Sequence, residues 1–186
     1  DEIALLDRIA RERGVRQRTL VRVTPGVKPS THSFISTGQL DSKFGFAIEG
    51  GVAARAIAAC REAEGIDLVG VHCHIGSQIF ELASYPAAVA IVADFVAEMG
   101  GEDLTTLNMG GGLGVAYTSE DEPPSVEHFA DVLMEAIDRE WARIGRPLPR
   151  VQVEPGRSIV ARAGVTLYRV GTVKEVPGIR TYVAVD

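Results

Sequence analysis

Residues 52–77 read VAARAIAACREAEGIDLVGVHCHIGS, and this stretch decides the fold. Its first half places Val52, Ala56, Ala59, Cys60 and Ala63 on the buried face of a helix over about 52–64, and Gly65 supplies the stop. The run LVGVHCH (68–74) that follows is apolar and β-rich, and turns polar only at its end. A helix followed at once by a short buried strand is the repeating unit of a parallel α/β sheet.

The same unit recurs on both sides. Upstream, Ile3, Leu6, Ile9 and Ala10 share one face of a helix over 3–13, Gly14 ends it, and LVRVT (20–24) is a strand broken by Pro25-Gly26. A long polar loop then runs to about Gly51. Downstream, Pro86 sits early in a helix whose Val92, Phe95, Val96 and Met99 form a stripe ended by Gly100-Gly101, and LTTLNM (104–109) is the next strand. Ser125 is placed to cap a fourth helix, with Glu127 in its first turn and Arg139 and Arg143 in its last. Phe129, Leu133, Ile137, Trp141 and Ile144 mark its core face, and VQVE (151–154) closes the series. Four strands separated by single helices predict right-handed crossovers and a parallel sheet, either an open doubly wound sheet or a (β/α)8 barrel. Beyond residue 163 the texture changes to VTLYRVGTVKEV (165–176) and TYVAVD (181–186), joined through Pro177-Gly178. Two β-rich runs without a helix predict the start of a second, β-rich domain, dividing the chain into 1–163 and 164–186.

Composition narrows the function. With 46% hydrophobic residues, 19 basic against 25 acidic side chains and no basic run, the chain has the make-up of a globular domain and lacks the footprint of a nucleic-acid binder. No apolar run approaches the roughly 18 residues a membrane helix needs, so no membrane partner is expected. Cys60 and Cys73 do not form a disulfide framework and are read as reduced thiols, which points to the cytoplasm. The first residues lie inside a helix and the last inside a strand, so a longer protein is expected on both sides.

Three polar clusters stand where three successive strands end: HCHIGS (72–77), NMGGGLG (108–114) and EPGR (154–157). Parallel α/β folds build their sites at that end of the sheet, so the clusters are expected to converge. Successive glycines let backbone N–H groups approach an anion and form a phosphate nest, whereas a tight turn without a ligand is the plainer alternative. The G-x-G-x-x-G dinucleotide pattern does not fit Gly110–Gly114. His72 and His74 fall on one strand face and Cys73 on the other. They read as a metal pair, as core histidines, or as one imidazole lying against an aromatic cofactor with Ser77 donating to its phosphate. His32 lies in the long loop and His128 on the fourth helix, so no third ligand other than a carboxylate is in view; a metal-dependent hydrolase using His72, His74 and Glu154 is the competing reading, and no metal is expected. Glu154 ends a strand that should be buried, where it either pairs with Arg157 or holds a proton on a ring nitrogen while Arg157 or Gly156 meets an anion. A phosphate nest, a stacking group and a ring-nitrogen partner together suit pyridoxal 5′-phosphate (PLP).

GVHCHIGSQ (70–78), LNMGGGLG (107–114), EPGR (154–157) and THSFISTGQLDSKFG (31–45) together resemble the PLP-dependent decarboxylases of ornithine, diaminopimelate and arginine, of the alanine-racemase-like fold type. The resemblance runs through nearly the whole chain, and implies a PLP-binding (β/α)8 barrel followed by a β-rich domain. It further implies that His74 stacks on the pyridine ring, that Ser77 and Gly110, Gly111 and Gly112 bind phosphate, and that Glu154 pairs with the ring nitrogen. Pro155, Gly156 and Arg157 then lie beside the cofactor, with Arg157 also reaching the substrate. HCHIGSQ and ISTG with DSKFG resemble the diaminopimelate branch, which implies conversion of meso-2,6-diaminopimelate to L-lysine by a homodimer. Decarboxylation of ornithine, arginine or carboxynorspermidine, and a non-catalytic PLP-binding barrel, are the alternatives. The setting of the family's cofactor-linked lysine is matched by none of Lys28, Lys43 and Lys174, the only lysines present, so the chain alone is expected to be inactive.

Overall fold

Every crossover in the computed structural model, which describes residues 2–27 and 43–186, returns the chain to a sheet whose strands all run the same way. Helix α1 (Glu2–Glu12) leads to β1 (Gln17–Thr24) and a two-residue strand β2 (Phe46–Ala47). Then come α2 (Val52–Glu62), β3 (Ile66–His72), α3 (Ser84–Met99), β4 (Thr106–Asn108), α4 (Val126–Arg143) and β5 (Arg150–Gln152). The spatial order is β2-β1-β3-β4-β5, and each neighbouring pair is parallel. A short helix α5 (Arg157–Val160) follows, and β6 (Val170–Val176) and β7 (Arg180–Val185) form a separate antiparallel pair.

The register sorts the side chains by face. Val21, Val71, Leu107 and Val151 lie side by side across the four main strands, and the first three are buried. The next residue of each strand makes a polar row, Arg22, His72, Asn108 and Gln152, which the period of two places on the opposite face. Helices cover the apolar face, so the polar row marks the face left for chemistry.

Each helix forms for local reasons. The Ser125 hydroxyl accepts the His128 N–H at 3.0 Å and so caps α4. Phe129, Leu133, Ile137 and Trp141 of α4 are buried, and the Phe129 ring meets Tyr85 of α3 edge to face at 5.0 Å. In α2 the sheet-facing residues are Ala53, Ala56, Ile57 and Cys60, whereas Val52 and Ala59 are exposed. The helix is thus rotated from the expected face, because burying Ile57 removes more apolar surface than burying Ala59.

Strand ends also depart from the sequence reading. Strands β3, β4 and β5 stop at His72, Asn108 and Gln152, short of His74, Met109 and Glu154, although single backbone hydrogen bonds continue past those ends, from the Cys73 N–H to Asn108 C=O and from the Met109 N–H to Gln152 C=O. Strand β2 was not foreseen, and most of THSFISTGQLDSKFG, with Lys28 and His32, lies outside the described residues. No described helix is long and apolar enough to cross a membrane.

Candidate cofactor-binding site

Beyond the polar row, the three loops converge. A cavity of about 150 Å³ is lined by His74, Ser77, Gly112, Glu154, Gly156 and Arg157, six of the residues singled out above. Gly110, Gly111 and Pro155 line instead a neighbouring apolar cleft of about 450 Å³ beside α4.

The loop after β3 and the glycine turn after β4 are held by a clasp. The Ile79 N–H donates to Gly112 C=O at 2.9 Å and the Gly114 N–H to Ile79 C=O at 3.0 Å. The Gln78 amide extends this bridge, donating to Val115 C=O at 3.1 Å and accepting the Val115 N–H at 3.0 Å. To do so Gln78 takes φ of 54°, the single left-handed non-glycine residue among those described. The buried Tyr85 hydroxyl supports the turn from below by donating to Gly111 C=O at 3.1 Å. A trans peptide points the Gly112 N–H away from that contact, and this N–H has no partner among the described residues.

Besides the role expected for them, the glycines have a packing role. A Cβ on Gly111 would run into the Glu154 backbone oxygen and one on Gly112 into the Gly76 backbone oxygen. A Cβ on Gly110 would lie 2.7 Å from the Cys73 carbonyl oxygen. Their smallness lets three loops pack backbone to backbone.

Glu154 departs from expectation as well. Its side chain is 53% exposed, because β5 is the sheet's edge among the described residues. Arg157 does not pair with it: its backbone C=O accepts the Ala161 N–H, but its guanidinium makes no ion pair or hydrogen bond among the described residues. The carboxylate is held by Asn108, whose amide Nδ2 donates to Oε1 at 2.9 Å, and stands 3.6 Å from His72 Nε2. That nitrogen is buried without a hydrogen bond. His74 Nδ1 accepts the Gly111 N–H at 3.2 Å, which fixes the ring against the glycine turn. Burial holds His74 below its ordinary value, with Arg22 acting in the same direction and Glu154 opposing. Burial likewise lowers His72, against the pull of Glu154. On the other face Cys73 is fully buried, 3.7 Å from the Met109 sulfur, and burial pushes its thiol up to about 12, which rules it out as a nucleophile near neutral pH. No group of three or more metal-ligating side chains occurs among the described residues.

Asn108, Gln78 and Tyr85 escaped the sequence reading. Asn108 and Gln78 stood inside quoted motifs, and for Asn108 its place at a strand end was the available signal; the role of Gln78 depends on a contact between two loops and that of Tyr85 on a contact from α3 to the glycine turn.

The donor set fits a phosphorylated pyridine. The Ser77 hydroxyl, the Gly112 N–H and the Arg157 guanidinium suit a phosphate, and a carboxylate anchored by Asn108 suits a protonated ring nitrogen. The comparisons agree. Residues 1–161 match the pyridoxal-binding domain of pyridoxal-dependent decarboxylases, and the chain belongs to that family. Within it, the chain is 46% identical over its full length to the diaminopimelate decarboxylase of Bacillus subtilis, of which it covers 43%. It is 44% identical to the Staphylococcus aureus enzyme, again covering 43% of it. The diaminopimelate decarboxylase of M. jannaschii, solved also with L-lysine, superposes at a TM-score of 0.79 with 36% identity, over all of this chain and 42% of that one. The Helicobacter pylori enzyme complexed with L-lysine gives 0.75 at 29% identity, over all of this chain and 44% of that one. The chain thus spans less than half the length of these relatives, and its parallel sheet with covering helices is part of the family's PLP-binding (β/α)8 barrel.

Proposed function

We propose that the protein to which this chain belongs decarboxylates meso-2,6-diaminopimelate to L-lysine with PLP as cofactor. The observation that carries this is the meeting of His74, Ser77, Gly112, Glu154 and Arg157 around one cavity. Bound there, PLP supplies a conjugated ring that accepts the electron pair left behind when carbon dioxide departs. Glu154 holds a proton at the ring nitrogen, and Asn108 keeps the carboxylate oriented. His74, held neutral by burial, offers a flat imidazole face to the ring. Ser77, the Gly112 N–H and Arg157 take the phosphate, with Gly110, Gly111, Pro155 and Gly156 shaping the loops around it. Arg157 is free to meet a substrate carboxylate as well.

Relatives named for diaminopimelate, two of them solved with L-lysine, support that substrate over ornithine, arginine or carboxynorspermidine. The lysine that links the cofactor belongs, on this reading, to a part of the protein outside these 186 residues. We assign residues 164–186 to the start of a second, β-rich domain, supported by the antiparallel pairing of β6 and β7. A homodimer follows from the family resemblance, and two buried free thiols support a cytoplasmic setting.

The test is direct. The full-length protein, given PLP and meso-diaminopimelate, is expected to release carbon dioxide and lysine in equal amounts. Release from ornithine with none from diaminopimelate would assign it to the other branch, and no release from any basic amino acid would leave only the non-catalytic reading.

A further inference from the structure

We propose that Asn108 is a positioning residue which sets the spacing between the Glu154 carboxylate and the glycine turn, and so the register in which the cofactor is held. The inference rests on the PLP-site reading above. Asn108 is only 7% exposed and uses both ends of its amide. Its Oδ1 accepts the Gly110 N–H at 2.8 Å while its Nδ2 donates to Glu154 Oε1 at 2.9 Å. The ring closes through the backbone, because the Glu154 N–H donates to Gly110 C=O at 2.7 Å. Three hydrogen bonds thus tie one carboxylate to one turn at two points.

The two ends of the amide are not interchangeable. Gly110 presents a donor and needs an acceptor, whereas the Glu154 carboxylate is an acceptor and needs a donor. Aspartate would serve Gly110 and repel Glu154; serine would serve Gly110 through a local hydroxyl turn and fail to reach Glu154; leucine would serve neither. The need for such a link follows from the ligand. The ring nitrogen and phosphate of PLP sit in one stiff molecule, so the groups that grip them have to keep a fixed separation to within about 0.5 Å. Glu154 lies in the loop two residues past the end of β5, with a half-exposed side chain, and would lack that precision unaided.

The test uses the full-length protein, with PLP affinity measured by equilibrium dialysis, turnover measured on diaminopimelate, and melting of the apo form followed in parallel. Asn108→Ser is expected to weaken PLP binding about tenfold, the weight of one hydrogen bond to a charged group, with little change in melting. Asn108→Asp is expected to weaken it further. The exchanged pair Asn108→Asp with Glu154→Gln restores a donor facing an acceptor, so its PLP affinity is expected to return to within about threefold of the unaltered protein. Its turnover is expected to stay as low as that of Glu154→Gln alone. A residue that merely filled space would not be rescued by that exchange. Unchanged affinity in Asn108→Ser, or an exchanged pair binding no better than Asn108→Asp, overturns the role. If Asn108→Asp does not fold, Asn108→Ser decides alone. Absence of PLP binding in the unaltered protein overturns the site itself, which separates the two failures.

Discussion

At the scale of single residues, the site separates groups that hold the fold from groups that face the cavity. Gly111 holds the fold and Gly112 does both, because a side chain on either would meet backbone oxygen and Gly112 also lines the cavity. Gly111→Val or Gly112→Val is therefore expected to lower the melting temperature and soluble yield, not to remove PLP selectively. Ser77→Ala is the contrast, since the Ser77 hydroxyl makes no hydrogen bond to the described residues. In the full-length protein it is expected to weaken PLP binding by about tenfold with the melting of the apo form unchanged. Equal loss of affinity and stability in both kinds of variant would mean that Ser77 is structural. Glu154→Gln makes a third case, because glutamine keeps the hydrogen bond from Asn108 but cannot hold a proton on a ring nitrogen. It is expected to retain PLP and to lose about a hundredfold or more in decarboxylation rate. Near-normal turnover in that variant would remove Glu154 from the chemistry.

At the scale of elements, the loops at the carboxyl ends of β3, β4 and β5 meet around one cavity, and the order of helices and strands that brings them there was legible in the sequence. The helix stops at Gly14 and Gly100 and the cap at Ser125 were legible because each acts within a few residues of chain. Alternation placed His72 and His74 apart from Cys73, and the structure buries Cys73 fully on the other side. What stayed hidden was contact between elements. The Asn108 amide reaches a residue 46 positions away, the pairing of β2 beside β1 needs only two residues, and Glu154 is exposed just past β5, the sheet's edge among the described residues. The two histidines also give this element a pH dependence. Both are held below their ordinary value of 6.5 in the folded state, chiefly by burial, so below that pH the unfolded chain binds protons that the folded one refuses. Their contribution to stability is complete above about pH 6.5 and is lost as the pH falls through their folded values. The melting temperature is expected to drop between pH 7.5 and 5.5, and to drop less in a His72→Gln variant. An unchanged slope in that variant would place the pH dependence elsewhere.

At the scale of the whole molecule, the sheet has two edges among the described residues, β2 and β5. In the intact relatives this chain accounts for 42–44% of the length. Next to β5, Val126, Met134, Val153 and Ile159 are exposed around the apolar cleft of about 450 Å³. Beyond the other end of the sheet, Leu5 and Ile9 of α1 and Phe44 border a second cavity of about 810 Å³. The β6–β7 pair is exposed on both faces, with Val173, Tyr182 and Val183 open to solvent. Edge strands with unpaired backbone groups beside apolar surface are templates for association, and a two-stranded ribbon has little stability by itself. The 186-residue chain expressed alone is therefore expected to self-associate, to bind an apolar reporter dye strongly, and to bind PLP at most weakly. It is also expected to release no carbon dioxide from diaminopimelate, because none of Lys28, Lys43 and Lys174 matches the setting of the family's cofactor-linked lysine. Light scattering behind a sizing column measures the first property, and borohydride reduction of a PLP-soaked sample with peptide mapping measures the last. A monodisperse monomer that binds no dye would mean that these edges are protected within the chain itself. Stoichiometric labelling of one of the three lysines, together with carbon dioxide release, would place the cofactor-linked lysine inside it.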